Sequence, residues 1–435
     1  MASPTISFSE YLRLTRENQN FRKLWCAQIV SEIGDWFYTI AIFSLLLDLT
    51  GRAASVALGL VLWVLPQTFV GPIAGAVNDR ISRRKVMIAA DLARVVIVGS
   101  MLLVRSPRLA WLIYPLIFLE TVMAGFFEPA RNSVIPNITP EKDVIVANTL
   151  ASTTWSFNLA IGSLIGGVVA ATLGREAVFV INALSFLVSA AFISRMRFHE
   201  PHITHQRLTL AEVFDYSPML EGFRYIGHDL RMFAMVTLRG GTGILGASWV
   251  LFPVFGQRVL PMPNLGHQDY AIVGMSILLA GRGTGALIGP LIASRWAGIN
   301  QQRLRRGVLI GFFLGGIGYG LLGIAPTIWV AAAVVLLAHV GGSIVWVFST
   351  TLLQLNTEDR FRGRIFAADF GIAMAVIALS AWLSGQAIDH GISPRLVASS
   401  VGASMIIPSV LWALAQRLWK GREPATEKET ASLTS

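Results

Sequence analysis

The chain has 435 residues, of which 54% are hydrophobic and 14% charged, with 40 glycines, a formal net charge of +10 and a mean hydropathy of +0.61. Soluble globular chains carry about 25% charged residues, so this composition excludes an ordinary soluble enzyme, and its hydrophobicity excludes a disordered scaffold. The single cysteine, Cys26, excludes a disulfide framework and a cysteine-based zinc site.

Residues 1–23 are polar and lack the apolar core of a signal peptide, which predicts an amphipathic cytoplasmic segment. Twelve apolar stretches follow, each near the roughly 20 residues a helix needs to cross a bilayer. Spans 1 to 6 are expected at 24–48, 54–78, 86–104, 110–130, 150–173 and 177–194. Spans 7 to 12 are expected at 232–255, 270–293, 308–325, 327–353, 365–387 and 396–415. The runs are continuous and do not alternate, so helices are predicted and not a barrel. The fold class is thus an all-α polytopic membrane protein. Two six-helix bundles, 24–194 and 232–416, are joined by a cytoplasmic loop at 195–231 and followed by a tail at 417–435.

Lysine and arginine gather on the cytoplasmic side of short loops. Counting from an even number of spans, 26 of them fall on the side of the termini and six on the other. This places both termini in the cytoplasm of a multi-pass plasma-membrane protein and explains the basic charge with no nucleic-acid partner. The histidines of the central loop, His199, His202 and His205, are interrupted by Pro201 and read as a solvated linker, so no metal is expected. There is no phosphate-cradling Gly-x4-Gly-Lys-Ser/Thr loop and no catalytic triad pattern. No cofactor and no enzymatic activity are expected.

The two halves share a faint repeat. Gly71 to Arg80 at the end of span 2 and Gly285 to Ser294 at the end of span 8 are offset by 214 residues, with glycines four apart in each. Parallel repeats of this kind are one transporter plan. The loop after span 2 reads Gly75-x-x-x-Asp79-Arg80-x-Ser82-Arg83-Arg84. It resembles the signature loop of the major facilitator superfamily, with Ser82 where a glycine is usual. Asn20 to Trp25, Gln28 and Ser31-x-x-Gly34-Asp35 at the start of span 1, Phe126 to Arg131 at the end of span 4, and Arg362-Gly363-Arg364 before span 11 resemble the drug- and siderophore-exporting branch, which includes macrolide efflux proteins and the enterobactin exporter. Gly162, Gly166 and Gly167 of span 5 resemble the antiporter signature of that branch, with Ser163 replacing a proline; glycines there let spans 5 and 8 approach closely.

The resemblance implies two pseudo-symmetric bundles that alternate access to a site near the midplane, lined by spans 1, 4, 7 and 10. It implies that Gly75, Asp79, Arg80, Arg83 and Arg84 form a conformational latch, with Asp79 docking on the start of span 11. Asp91 and Arg94, three residues apart on span 3, are expected to pair beside that loop.

Charge at the bilayer centre costs at least about 2.5–3.5 kcal/mol and marks function by default. Glu32, Asp35 and Glu120 are the proton-coupling candidates, since a carboxyl at midplane can hold either a proton or a cation. They are expected to face Arg239 and His339 across the cavity, with Asp369 a further charge on span 11. Arg239 and Arg282, each beside glycines, suit either an anionic substrate group or the neutralisation of a carboxylate. Trp155, Asn158, Trp346 and Phe348 are further candidates for a substrate pocket, while Trp25, Trp111 and Trp382 fit the interfacial belt. Asp48 and Asp389, near the outer ends, are expected to be solvated.

The leading expectation is a monomeric, proton-driven exporter of a small amphipathic compound, with membrane lipid, substrate and protons as its partners. A lysophospholipid or other lipid-class transporter, or a non-transporting membrane receptor or assembly partner on the same fold, are the alternatives.

Overall fold

The computed structural model describes residues 8–200, 215–228, 230–261, 270–298, 300–357 and 359–419. His202 and His205 lie outside them. The described residues are helical and contain no strand.

Ten stretches are long and apolar enough to cross a membrane. One of them, Glu141–Ser194, holds two spans. The chain doubles back inside it at Gly174, whose φ of 83° lies in the region that only glycine enters readily. The helix Gln301–Leu322 supplies a further span, so twelve spans emerge from the described residues.

Spans 1 to 4 are Gln19–Thr50, Ala53–Asn78, Arg83–Ser100 and Ile113–Ile138. Span 1 starts five residues earlier than expected because Asn18 caps it, accepting from the Phe21 amide at 2.9 Å. Span 5 covers 144–173 and is interrupted by a π-helical turn at Asn158–Gly162; span 6 covers 175–194. Span 7 is the least regular. It changes from α-helix (Leu230–Gly240) to a 3-10 segment (Gly241–Ala247), back to α (Ser248–Val254), and ends in a π turn (Phe255–Val259). Spans 8 to 11 are Tyr270–Ala297, Gln301–Leu322, Ile328–Asn356 and Asp359–Asp389. Span 12 bends at Met405 between Pro394–Ser404 and Ile406–Trp419.

Two amphipathic helices lie at the end of the bundle that carries the termini. Phe8–Glu17 is strapped to the span 4–5 loop by Arg13, which bonds Asp143 at 2.5 Å, and Asn18 donates to the Ile138 carbonyl. Ser217–His228 is capped by Asp215, which accepts from the Ser217 amide at 2.9 Å; that bonding holds the Asp215 carboxyl below the usual carboxylate range. The second helix packs on the start of span 11, where Glu221 meets Arg364 at 2.7 Å.

Small residues set where the two bundles touch. A side chain at Gly283 of span 8 would strike the backbone of Ala160 in span 5, and one at Gly167 would strike Ser276 of span 8. At the end remote from the termini, a side chain at Gly385 of span 11 would press on Ala53 and Ala57 of span 2. That end is also tied by charge. Asp389 of span 11 accepts from the Ala53 and Ala54 amides at 2.8 and 3.0 Å, capping span 2. Asp48 pairs with Arg175 and accepts from Gln257 of span 7, and Arg258 donates to the Gly51 carbonyl at 2.7 Å. Asp48 and Asp389 are therefore not simply solvated, as expected from sequence; each joins the two bundles.

Candidate functional site

Among the described residues, the charges buried in the spans pair within one bundle or the other, and not across the two as the sequence suggests. In the first bundle, Arg94 of span 3 lies 2.5 Å from Asp91 and 3.8 Å from Asp35 of span 1. Its guanidinium also sits over the rings of Phe127 and Phe186 at 4.7 and 4.1 Å. Glu120 of span 4, buried, lies within electrostatic reach of both Asp35 and Arg94. Three carboxylates thus surround one guanidinium. Arg94 is about 16 Å along the helix axis from the start of span 3, so Asp91 and Arg94 belong to this midplane cluster and not to the loop beside Asp79.

Glu32, one turn before Asp35 on span 1 and within electrostatic reach of it, has partners of its own. It accepts from Gln28 at 2.8 Å, from Asn158 at 3.0 Å and from Arg131 at 3.2 Å. Arg131 in turn meets Glu128 at 2.7 Å. The π turn of span 5 carries the buried Asn158 that bonds Glu32; such turns often occur at functional sites. Asn158 therefore belongs to a carboxylate network and not to an apolar pocket. Arg131, one residue past the expected end of span 4 at 130, is buried inside the span, which runs on to Ile138.

The carboxylates were expected to face Arg239 and His339. The structure corrects this. Arg239 pairs with Asp369 of span 11, within its own bundle, and lies 4.3 Å from the ring of Trp346. His339 turns toward span 9, where its Nε2 is 3.2 Å from the Tyr319 hydroxyl. Phe348, expected in the pocket, packs against Gly307 of span 9.

The sequence missed a set of aromatic rings. Trp249 of span 7 packs against Trp36, Phe43 and Trp63 of the first bundle, with centroids 6.3, 5.9 and 5.0 Å away. Trp155 meets Trp36 edge-on at 5.9 Å. Arg282 of span 8 lies 4.5 Å over the Trp249 ring and donates to Ser248 at 3.0 Å. A tryptophan within an apolar run carries no periodic signal, so only the structure reveals that these rings meet.

The signature loop is held locally. Asp79 caps span 2 with its side chain 75% exposed, 3.7 Å from Arg83. Arg83 donates to the carbonyls of Asn78 and Ser133. Arg84 donates to the Ser194 carbonyl and, through its amide, to Glu200. Arg80 occupies the turn between spans 2 and 3. Ser82 explains its own departure from the usual glycine: its hydroxyl caps span 3 and bonds Glu200 at 2.5 Å. Gly75 faces open space, and among the described residues Asp79 meets Arg83 and no residue of span 11. Of the span 5 glycines, Gly167 meets span 8, whereas Gly162 and Gly166 admit Trp36 and Phe37 of span 1.

Twelve helices in two bundles, with paired charges buried at mid-span, define a membrane transporter of the major facilitator type. The chain belongs to the transmembrane secretion effector family of that superfamily, whose model matches residues 14–430. It is 24% identical over 375 residues to macrolide efflux protein A of Streptococcus pyogenes, covering 85% of this chain and 89% of that protein. It is 24% identical over 424 residues to the uncharacterized MFS-type transporter YfiS of Bacillus subtilis (strain 168), covering 94% and 96%. The fold is similar to that of the nucleoside transporter NupG, with a TM-score of 0.68 and 12% identity over 91% of this chain and 98% of that one. The chain is a transporter and not an enzyme.

Proposed function

We propose that the chain exports a small amphipathic organic compound by alternating access, driven by protons, with both termini in the cytoplasm. The observation that carries the coupling is the cluster of Asp35, Asp91 and Glu120 around Arg94. One guanidinium neutralises one carboxylate, and charge left over in lipid is costly. With Asp91 neutralised by Arg94, two negative charges remain, and a proton on each of Asp35 and Glu120 is the smallest charge that balances the site. Asp35, with its side chain 36% exposed, offers the proton a way in and out. The export direction rests on the similarity to the macrolide efflux protein.

The ties at the remote end, through Asp389, Asp48 and Arg258, suit a state closed to the outside and open to the cytoplasm. In that reading Gly75 and Asp79 stand free to receive span 11 when the molecule reverses.

A direct test uses the purified protein in a weakly buffered solution with a pH indicator. Erythromycin, a macrolide, and fluorescein, an organic anion, are added in turn; whichever binds is expected to release close to one proton per molecule, and Asp35→Asn or Glu120→Gln is expected to abolish the release. Binding without proton release would overturn the coupling.

One observation favours a lipid-class substrate as a second reading. A cavity of about 430 Å³ near the remote end has apolar walls from Leu45, Leu49 and Met101 and the Arg105–Glu176 pair at its rim, a combination suited to a headgroup and chain.

A further inference from the structure

Arg282, partly buried in span 8, differs from the buried arginines of the spans. Arg94 has Asp91 and Asp35, Arg131 has Glu32 and Glu128, and Arg239 has Asp369. Among the described residues, Arg282 has no carboxylate partner. Its contacts are the neutral hydroxyl of Ser248 and the face of Trp249, with the Tyr319 phenol and the His339 imidazole within electrostatic reach. A guanidinium carries five donors in a fixed fork, and these contacts leave most of the fork unused. Arg282 lies about 18 Å along the axis from the start of span 8 at Tyr270, near the middle of the span, where an uncompensated charge is most costly.

The backbone holds Arg282 in this position. Gly281 and Gly285 are pressed against Ala332 and Leu336 of span 10, and Gly283 against Ala160 of span 5. Span 8 is wedged between its own bundle and the other, so the arginine cannot withdraw by a shift of the helix. It stands beside Trp249, which the first bundle meets with Trp36 and Trp63. A positive charge is thus fixed next to flat apolar surface at the junction of the bundles, where movement of one against the other would open or close the contact.

We propose that Arg282 binds an anionic group of the transported compound, with Trp249 and Trp36 taking the planar or apolar part beside it. The substrate class is an amphipathic organic anion bearing an oxyanion that accepts the guanidinium fork bidentately. Arg239 takes no part, because Asp369 already neutralises it. This inference rests on the transporter reading and narrows its substrate.

The test compares two dyes built on the same xanthene ring system, fluorescein as the anion and rhodamine 123 as the cation. Binding to the purified protein in lipid nanodiscs is followed by fluorescence polarisation. The unmodified protein is expected to bind fluorescein more tightly than rhodamine 123. Arg282→Gln is expected to weaken fluorescein binding about tenfold or more and to leave rhodamine 123 unchanged or tighter. Arg282→Lys retains the charge but not the fork, and is expected to fall between. Arg239→Lys, which keeps its pair with Asp369, is expected to leave fluorescein binding unchanged. A thermal unfolding curve for each variant separates lost binding from lost fold. Absence of fluorescein binding, equal binding of the two dyes, or fluorescein binding indifferent to Arg282→Gln in a folded protein would each overturn the proposal. Gradient-driven movement of rhodamine 123 or erythromycin in liposomes would then leave the transporter reading standing with a non-anionic substrate.

Discussion

Arg239 and Asp369 are both buried and lie 130 positions apart in sequence. Removing one partner leaves a bare charge in the bundle, which costs about 3–5 kcal/mol. Arg239→Gln alone is therefore expected to lower the thermal midpoint sharply, and Arg239→Gln with Asp369→Asn to recover most of it. Equal destabilisation by the single and double variants would contradict the pairing. The buried charges themselves were legible in the sequence, because a charged residue inside an apolar run stands out. Their partners were not. Which carboxylate meets which arginine depends on how distant spans pack, so Arg239 was assigned to the opposite bundle and Asp35 was read without Arg94. Asn158 reads from sequence as a pocket residue, since nothing in the residues around it announces the π turn that accompanies its bond to Glu32.

Single helices carry their own predictions. Ser82 caps span 3 and holds Glu200, so Ser82→Ala is expected to cost about 1 kcal/mol in an unfolding titration. Two glycines offer a sharper contrast. Gly283 meets the Ala160 backbone, and a β-branched side chain there must push spans 5 and 8 apart; Gly283→Val is expected to destabilise the fold and stop transport. Gly75 faces open space, so Gly75→Ala is expected to leave the unfolding midpoint within about 0.5 kcal/mol of the parent. If Gly75 and Asp79 receive span 11 during the cycle, the same variant slows transport while folding normally. At this scale the sequence was most informative. The positions of the spans follow from apolar runs, whereas the 3-10 segment Gly241–Ala247 of span 7 appears only in the structure. The amphipathic helix Phe8–Glu17 was foreseen as a segment, but its strap through Arg13 to Asp143 was not, because that contact joins positions 130 apart.

At the scale of the whole molecule, the remote-end ties and the midplane clusters carry the proposal that the transporter rocks between two states. Asp389 caps span 2 from the other bundle, and a carboxylate at a helix N-terminus contributes about 0.3–1 kcal/mol. Asp389→Asn is expected to raise the population open at that end about two- to fivefold. This is readable as faster thiol labelling of a Thr39→Cys probe in a Cys26→Ser background. Proton coupling through the Arg94 cluster is the central claim. It is tested most directly by reconstituting the protein in liposomes with a pH-sensing dye inside, imposing a proton gradient, and offering erythromycin, fluorescein and lysophosphatidylcholine in turn. The account predicts proton flux that appears only with a transported compound and is lost in Asp35→Asn or Glu120→Gln. Movement of any of these compounds with no proton flux, unaffected by both substitutions, would contradict it.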